Sequence, residues 1–460
     1  MLKLKRSKKT TQRNTNLAKI RKKALKKGNP KKIGVKSQKK LSFSLQRGFK
    51  FSSIFEGTEW SILALSLTLL AGGLLMIFSA SAIRAYEDHN GDTFYYFKRQ
   101  IIWIILGGIS ATGIYLMPIK ALRKLSTLFL GGAIFLLLYM LPEAAFGKTI
   151  QDGNDIILSG IQMPFVVAKN GATRWIEIGG FSLQPSELVK FGVVLYLAAW
   201  LTRDFKIKDI NSKSEHFKKV LAPFSILMGI ISVLILAQSD FDTTVIIFLI
   251  AMPVYYISGN DRIHTLGTYL LSIFAGIVGS FALVLEDYRR DRLNAFFEIF
   301  LTGRPSVENA QEKSFQVWHG LLAMGSGGLL GVGYGQSKLK LGFLQDAAYT
   351  DSIFVVIGEE FGLIGSLAVT LGFLYFAVIG FKIASKADDK FASLVAVGAS
   401  SWISIQAFLN IASNIALIPF GGMPLPFFSY GGTSTITSML AVGLLLNVSR
   451  HSGRKKKSRA

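Results

Sequence analysis

Apolar residues fall in blocks separated by short polar or glycine-rich breaks. Several blocks run for about 17 to 25 residues, the length a helix needs to cross a hydrocarbon core. Spans are expected near 60–83, 101–120, 124–142, 185–201, 220–238, 243–258, 265–285, 352–384, 391–418 and 433–448. The pattern therefore predicts an all-α polytopic membrane protein of about ten transmembrane helices, with a large extracellular loop (286–350) between helices 7 and 8. FSASA at 78–82 resembles a small-residue cleavage site. The apolar core before it is too long for a cleaved signal, so the first span reads as a retained anchor.

Composition supports that reading: half of the 460 residues are hydrophobic, 35 are Phe, and only 17% are charged. The net charge of +24 would suggest a nucleic-acid partner if it covered a folded surface. It does not. Residues 1–50 hold nineteen Lys and Arg and no acid, residues 450–460 hold six more, and without them the chain is close to neutral. Residues 1–55 and 450–460 read as basic cytoplasmic tails, the first disordered and drawn to anionic lipid, flanking a membrane domain at 56–449. No nucleic acid is implied. There is no cysteine, and the five His have no ligand spacing.

The positive-inside rule places both tails in the cytoplasm, with the basic loops at 120–124 and 203–219 on the same side. Parity then puts the long connections 143–184 and 286–350 outside, where LLAMGSGGLL (321–330) is expected to dip back into the membrane. Asp351, Glu187, Lys190, Asp240 and the Pro/Gly-rich segment 419–432 gather at that same outer end. Asp351 stands at the head of a span, as a helix cap or as a general base. Glu187 and Lys190, three apart on one helix face, either neutralise each other or serve function. Asp240 caps the sixth span or joins the site, and Glu359 and Glu360 lie deeper on the Asp351 helix with separate partners. GSGGLLGVGYG (325–335) follows no strand, and FGKT (146–149) lacks a P-loop's first glycine, so ATP is not the energy source.

The motifs FSAS (78–81), YYFKRQ (95–100), NGATRWIEIGGFSLQPSELVK (170–190), QSDFDTT (238–244), YRRDRL (288–293), GSGGLLGVGYGQSKLK (325–340), TDSIFVVIGEEFG (350–362) and PLPFFSYGGTS (424–434) occur together. In that combination the chain resembles, from about 60 to 450, the SEDS family (shape, elongation, division, sporulation) of peptidoglycan polymerases represented by FtsW and RodA. GQSKLK and NGAT look more like the FtsW branch. The resemblance implies a ten-helix enzyme of the bacterial cytoplasmic membrane that joins lipid II into glycan strands on the outer face. Undecaprenyl diphosphate would be released with inversion. The partners implied are lipid II, the lipid-linked strand, a class B penicillin-binding transpeptidase, and division or elongation proteins. The family's catalytic acid falls on Asp351, its paired Glu and Lys on Glu187 and Lys190, its QPD aspartate on Asp240, and its NGAxRW pattern on Arg174 and Trp175. Lys98, Arg99, Arg289, Arg292, Gln316, Lys338 and Ser429 complete the expected substrate-binding set. The cofactor is none, or a divalent cation (magnesium or manganese) held by carboxylates. The family's LPE reads Leu344-Gln345-Asp346 with one extra residue before Thr350, Ser239 stands for a proline, and Asp242 stands for a glycine. A flippase for the same lipid-linked precursor is the alternative function, and a non-catalytic scaffold the third.

Overall fold

The computed structural model describes residues 59–459 except 147, 153–154, 160–161, 170–171, 204–216, 260–265, 268–286, 304–311, 339, 341–343 and 420. In chain order the described elements are α1 (Trp60–Asp88), α2 (Tyr95–Leu116), α3 (Ile119–Phe146), the strands β1 (Lys148–Asp152), β2 (Asp155–Ser159), β3 (Val166–Lys169), β4 (Ala172–Ile178) and β5 (Phe181–Leu183), and α4 (Pro185–Leu201). The chain continues with α5 (Ala222–Leu236), α6 (Phe241–Ser258), α7 (Asp287–Thr302), α8 (Glu312–Gly327), α9 (Ile353–Ser385), α10 (Lys390–Asn414) and α11 (Gly432–Arg459). This is a polytopic helical membrane fold.

Among the described residues eight helices are long and apolar enough to cross a membrane: α1, α2, α3, α5 with the turn before it, α6, α9, α10 and the first part of α11. Nine of the ten expected spans coincide with helices, α4 with its 17 residues being the ninth; the remaining one, 265–285, lies outside the described residues apart from 266–267. Boundaries reflect backbone chemistry. Helix α2 stops at Leu116 because Met117 precedes a proline and takes extended angles (φ −67°, ψ 138°). Helix α10 stops at Asn414, before Ala416 at φ 52°. The bundle is centred on α4, α10 and α11, which are mostly buried. Helix α10 packs on α9, α6 and α4, and α11 on α2. Peripheral helices turn residues such as Leu75, Ile109, Phe135 and Val233 outward. In water that surface would drive aggregation; against lipid it has no such effect.

Both long connections are built rather than loose. Segment 143–184 forms a β1–β2 hairpin and an antiparallel β3–β4–β5 meander, with Val167 opposite Trp175 and Ile176 opposite Leu183. Segment 286–350 contains α7 and α8, then a strap that crosses α9. Residues 1–58 lie outside the described residues, and α11 runs on into the basic C-terminal stretch.

Of the segment expected to be re-entrant, residues 321–327 form the end of α8, and 328–330 begin the strap over α9. Helix α9 breaks at Gly362 (φ 65°, ψ −159°), which frees backbone groups that a hydrocarbon environment would leave unsatisfied. The strap satisfies them from both sides. Val332 and Gly333 N–H donate to the carbonyls of Glu359 and Glu360 at 3.0 and 3.1 Å, while Leu363 and Ile364 N–H donate to Gly328 and Leu329 at 2.9 and 3.2 Å. The two Glu side chains anchor the far end of the strap: Glu359 accepts from Ser337 Oγ and Lys338 N–H, and Glu360 from Lys340 Nζ and from Ser79 Oγ on α1. Contact at the crossing is backbone to backbone. A Cβ on Gly331 would lie 2.1 Å from Glu360 O, at a residue whose φ is +84°. Gly331→Ala is expected to destabilise the fold by more than the ~1–3 kcal/mol of backbone strain alone. Gly132→Ala, in open space on α3, should leave stability within about 1 kcal/mol of the parent or raise it. Thermal unfolding of both variants in detergent checks the contrast.

Candidate functional site

Asp351 sits half-buried in the turn that leads into α9; the N-cap position falls on the next residue, Ser352. Its backbone is gripped by α10. Asn410 and Asn414 each donate an amide hydrogen to Asp351 O, at 2.8 and 3.0 Å, and Asn410 donates its other to Met423 O at 2.8 Å. One turn before Asn410, Gln406 donates to Pro424 O at 2.9 Å. Residues 406, 410 and 414 share a helix face, so three carboxamides form a ladder tying the Asp351 turn and the 421–425 segment to one rigid helix. Ser429 Oγ donates to Thr350 O at 2.5 Å and accepts Leu425 N–H at 2.7 Å, and Tyr430 N–H donates to Tyr349 O at 2.8 Å. Sequence reasoning misses these amides. The available signal is three amide side chains at four-residue spacing inside an apolar span.

Below this layer lies a closed polar network. Lys190 is 1% exposed, with Nζ 2.6 Å from Glu187 Oε1 and 2.8 Å from Gln406 Oε1, and it stands over the Trp402 ring. Thr437 donates to the other Glu187 oxygen. Gln406 thus couples the ion pair to the 421–425 segment. Asp240 is also buried: it accepts from Gln184, Ser186 and, as the N-cap of α6, from Thr243 N–H. The turn before it differs in kind from the family pattern. Ser239 has φ 58°, which a proline ring forbids, and its carbonyl accepts from Arg174.

The expected cations divide. Arg174 lies on β4 at this end, with its Nε buried and lacking a partner among the described residues; Trp175 is next on the strand. Arg99 donates to Tyr95 Oη and Gly180 O, joining α2 to the β4–β5 turn. Lys98 pairs with Asp92 at 3.0 Å, and that hydrogen bond lowers the Asp92 carboxyl below its usual range. Lys338 is exposed on the strap. The side chains of Arg289, Arg292 and Gln316 lie outside the described residues. Beside Asp351, the rings of Tyr96, Tyr349 and Tyr430 meet at 4.7 to 5.8 Å, and burial pushes the Tyr430 phenol up to about 12, leaving it a neutral donor. Removing one partner of the buried ion pair strands a charge, so Glu187→Ala should lose about 3–5 kcal/mol of stability. The double change Glu187→Leu with Lys190→Met should recover much of it, as read by unfolding in detergent.

A family of cell cycle proteins comprising FtsW, RodA and SpoVE matches residues 59–454. The probable peptidoglycan glycosyltransferase FtsW of Nitrosomonas europaea is 33% identical over 83% of this chain and 90% of its own length. Stage V sporulation protein E of Bacillus subtilis is 33% identical over 85% of this chain and 96% of its own. Among solved structures, a chain of a peptidoglycan synthase complex that coordinates polymerization and crosslinking superposes with a TM-score of 0.61 at 21% identity, covering 86% of this chain and 98% of that one. The rod shape determining protein RodA of Thermus thermophilus gives 0.55 at 22%, covering 85% and 97%. These two show a shared fold. With nearly its whole membrane domain matched, the chain belongs to the FtsW, RodA and SpoVE family of cell cycle proteins.

Proposed function

We propose that this chain is a peptidoglycan glycosyltransferase of the bacterial cytoplasmic membrane, polymerising lipid II on the outer face, with Asp351 as general base. The observation that carries the reading is the placement of a half-buried carboxylate at the rim of the bundle, its backbone fixed by two carboxamides and its turn bordered by the exposed Gly422. Asp351 takes the proton from the acceptor sugar's 4-hydroxyl as that oxygen attacks the anomeric carbon of the growing strand, and undecaprenyl diphosphate leaves with inversion. General-base assistance of this kind is worth about 10²–10⁴ in rate.

Among the described residues, Arg174, whose buried Nε has no partner there, is a candidate donor for the leaving diphosphate. Glu187, Lys190, Asp240 and Ser429 act from beneath, as the frame. Among the described residues no three His, Cys, Asp or Glu side chains converge on a cation. A magnesium or manganese ion would rely on one or two carboxylates and the diphosphate oxygens, and would neutralise the leaving group. The lipid tails lie along the apolar outer faces of the helices. The partner is a class B penicillin-binding transpeptidase, which crosslinks the strands, and the FtsW-type relatives favour a role in division.

The break in α9 is a feature a flippase would share, since transporters bind at discontinuous helices. Its backbone groups are occupied by the strap, which disfavours that use. The test is polymerisation of labelled lipid II by the full chain with its transpeptidase partner. Asp351→Asn should lower the rate at least ~10²-fold with the protein still folded; equal polymer from both forms contradicts the assignment, and lipid scrambling without polymer favours the flippase. Sidedness is separately testable because the chain has no cysteine. Glu87→Cys, exposed at the end of α1 next to the α1–α2 loop, should react with an impermeant maleimide in intact spheroplasts; reaction only after lysis would place this end in the cytoplasm.

A further inference from the structure

Asp242 occupies the first turn of α6, where the family pattern has glycine. The helix does not need it for capping, because Asp240 already accepts Thr243 N–H. Asp242 reaches instead to the 421–425 segment, where its Oδ2 accepts Gly422 N–H at 2.9 Å. Asp351 approaches the same residue. A Cβ built on Gly422 would lie 3.3 Å from Asp351 Oδ2 and 3.9 Å from Asp242 Oδ2, and one on Gly421 would lie 3.1 Å from Asp242 Oδ1. Gly422 thus lies between the two carboxylates, where a Cβ would be in tight contact with Asp351 Oδ2.

Two glycines in succession have the largest conformational freedom a chain offers, and a wandering segment beside the reacting carboxylate would spoil its geometry. The carboxamide ladder holds this segment by the carbonyls of Met423 and Pro424. Asp242 holds it by an N–H, through a charge-assisted hydrogen bond from the neighbouring helix α6.

We propose that Asp242 is a positioning residue for glycosyl transfer: its bond to Gly422 sets how closely the 421–425 segment lies against Asp351, and so how closely an acceptor hydroxyl approaches the base. The inference rests on Asp351 being that base. Asp242→Asn keeps an oxygen acceptor for Gly422 N–H, and Asp242→Ala removes it. Gly422→Ala keeps the N–H and both acids but presses a methyl on Asp351, without backbone strain because Gly422 is not in the left-handed region.

The experiment is steady-state polymerisation of labelled lipid II by the full chain with its partner, alongside Asp351→Asn and thermal unfolding of each variant. Asp242→Asn should stay within about threefold of wild-type kcat, whereas Asp242→Ala and Gly422→Ala should each fall by roughly 10- to 100-fold with KM within about twofold. Wild-type kcat in Asp242→Ala, an equal loss in Asp242→Asn, or a change confined to KM would overturn the proposal. If Asp242→Ala does not fold, Gly422→Ala decides, and wild-type kcat there overturns it. Activity retained by Asp351→Asn would instead defeat the assignment of the base, whatever Asp242 does.

Discussion

The face of α10 that carries Gln406, Asn410 and Asn414 is the constraint on which the site depends. Asp351, the proposed general base, stands on irregular backbone in the turn before α9, and irregular backbone beside hydrocarbon has carbonyls with no water to satisfy them. The three carboxamides answer that demand. They donate to the otherwise stray carbonyls of residues 351, 423 and 424, and they do so from a largely buried span. Because the donors sit on consecutive turns of one rigid helix, the turn carrying Asp351 and the segment opposite it keep a fixed separation. Gln406 extends the same framework downward to Lys190 and Glu187.

The break in α9 is the same solution in another form. Gly362 lets the helix come apart, and the strap from Gly328 to Gly333 exchanges backbone hydrogen bonds with it in place of water. Glu359 and Glu360, acids in an otherwise apolar helix, pin the end of that strap through Ser337, Lys338 N–H and Lys340. The N-terminal part of α9, just below Asp351, is therefore covered on every side. A base on such an over-determined element, as proposed for Asp351, would lose little geometry to thermal motion.

Much of this is legible in the chain, for unequal reasons. Apolar blocks locate the helices because membrane length is a strict filter, and the paired spacing of Glu187 and Lys190 announces their contact. The strands between 148 and 183 escape sequence reasoning, since stretches such as VVAK and ATRWIEI are too short to separate from loop by periodicity. Asn410 and Asn414 are hidden in a span where polar residues are diluted by Ala, Ser and Ile, and their partners are carbonyls, which no side-chain pattern displays. Asp242 stands out as an added acid, yet its partner is Gly422 N–H, 180 positions away. Backbone partners are what local sequence conceals.

The most direct test of the ladder is the turnover of Asn410→Leu on labelled lipid II, measured with the transpeptidase partner and beside its unfolding temperature. The replacement keeps the number and branching of the side-chain heavy atoms but withdraws both donors from the Asp351 and Met423 carbonyls. The account predicts a folded protein whose kcat falls by about 10- to 100-fold, the equivalent of one or two lost hydrogen bonds at the reacting centre. A folded Asn410→Leu protein polymerising at the wild-type rate would contradict it.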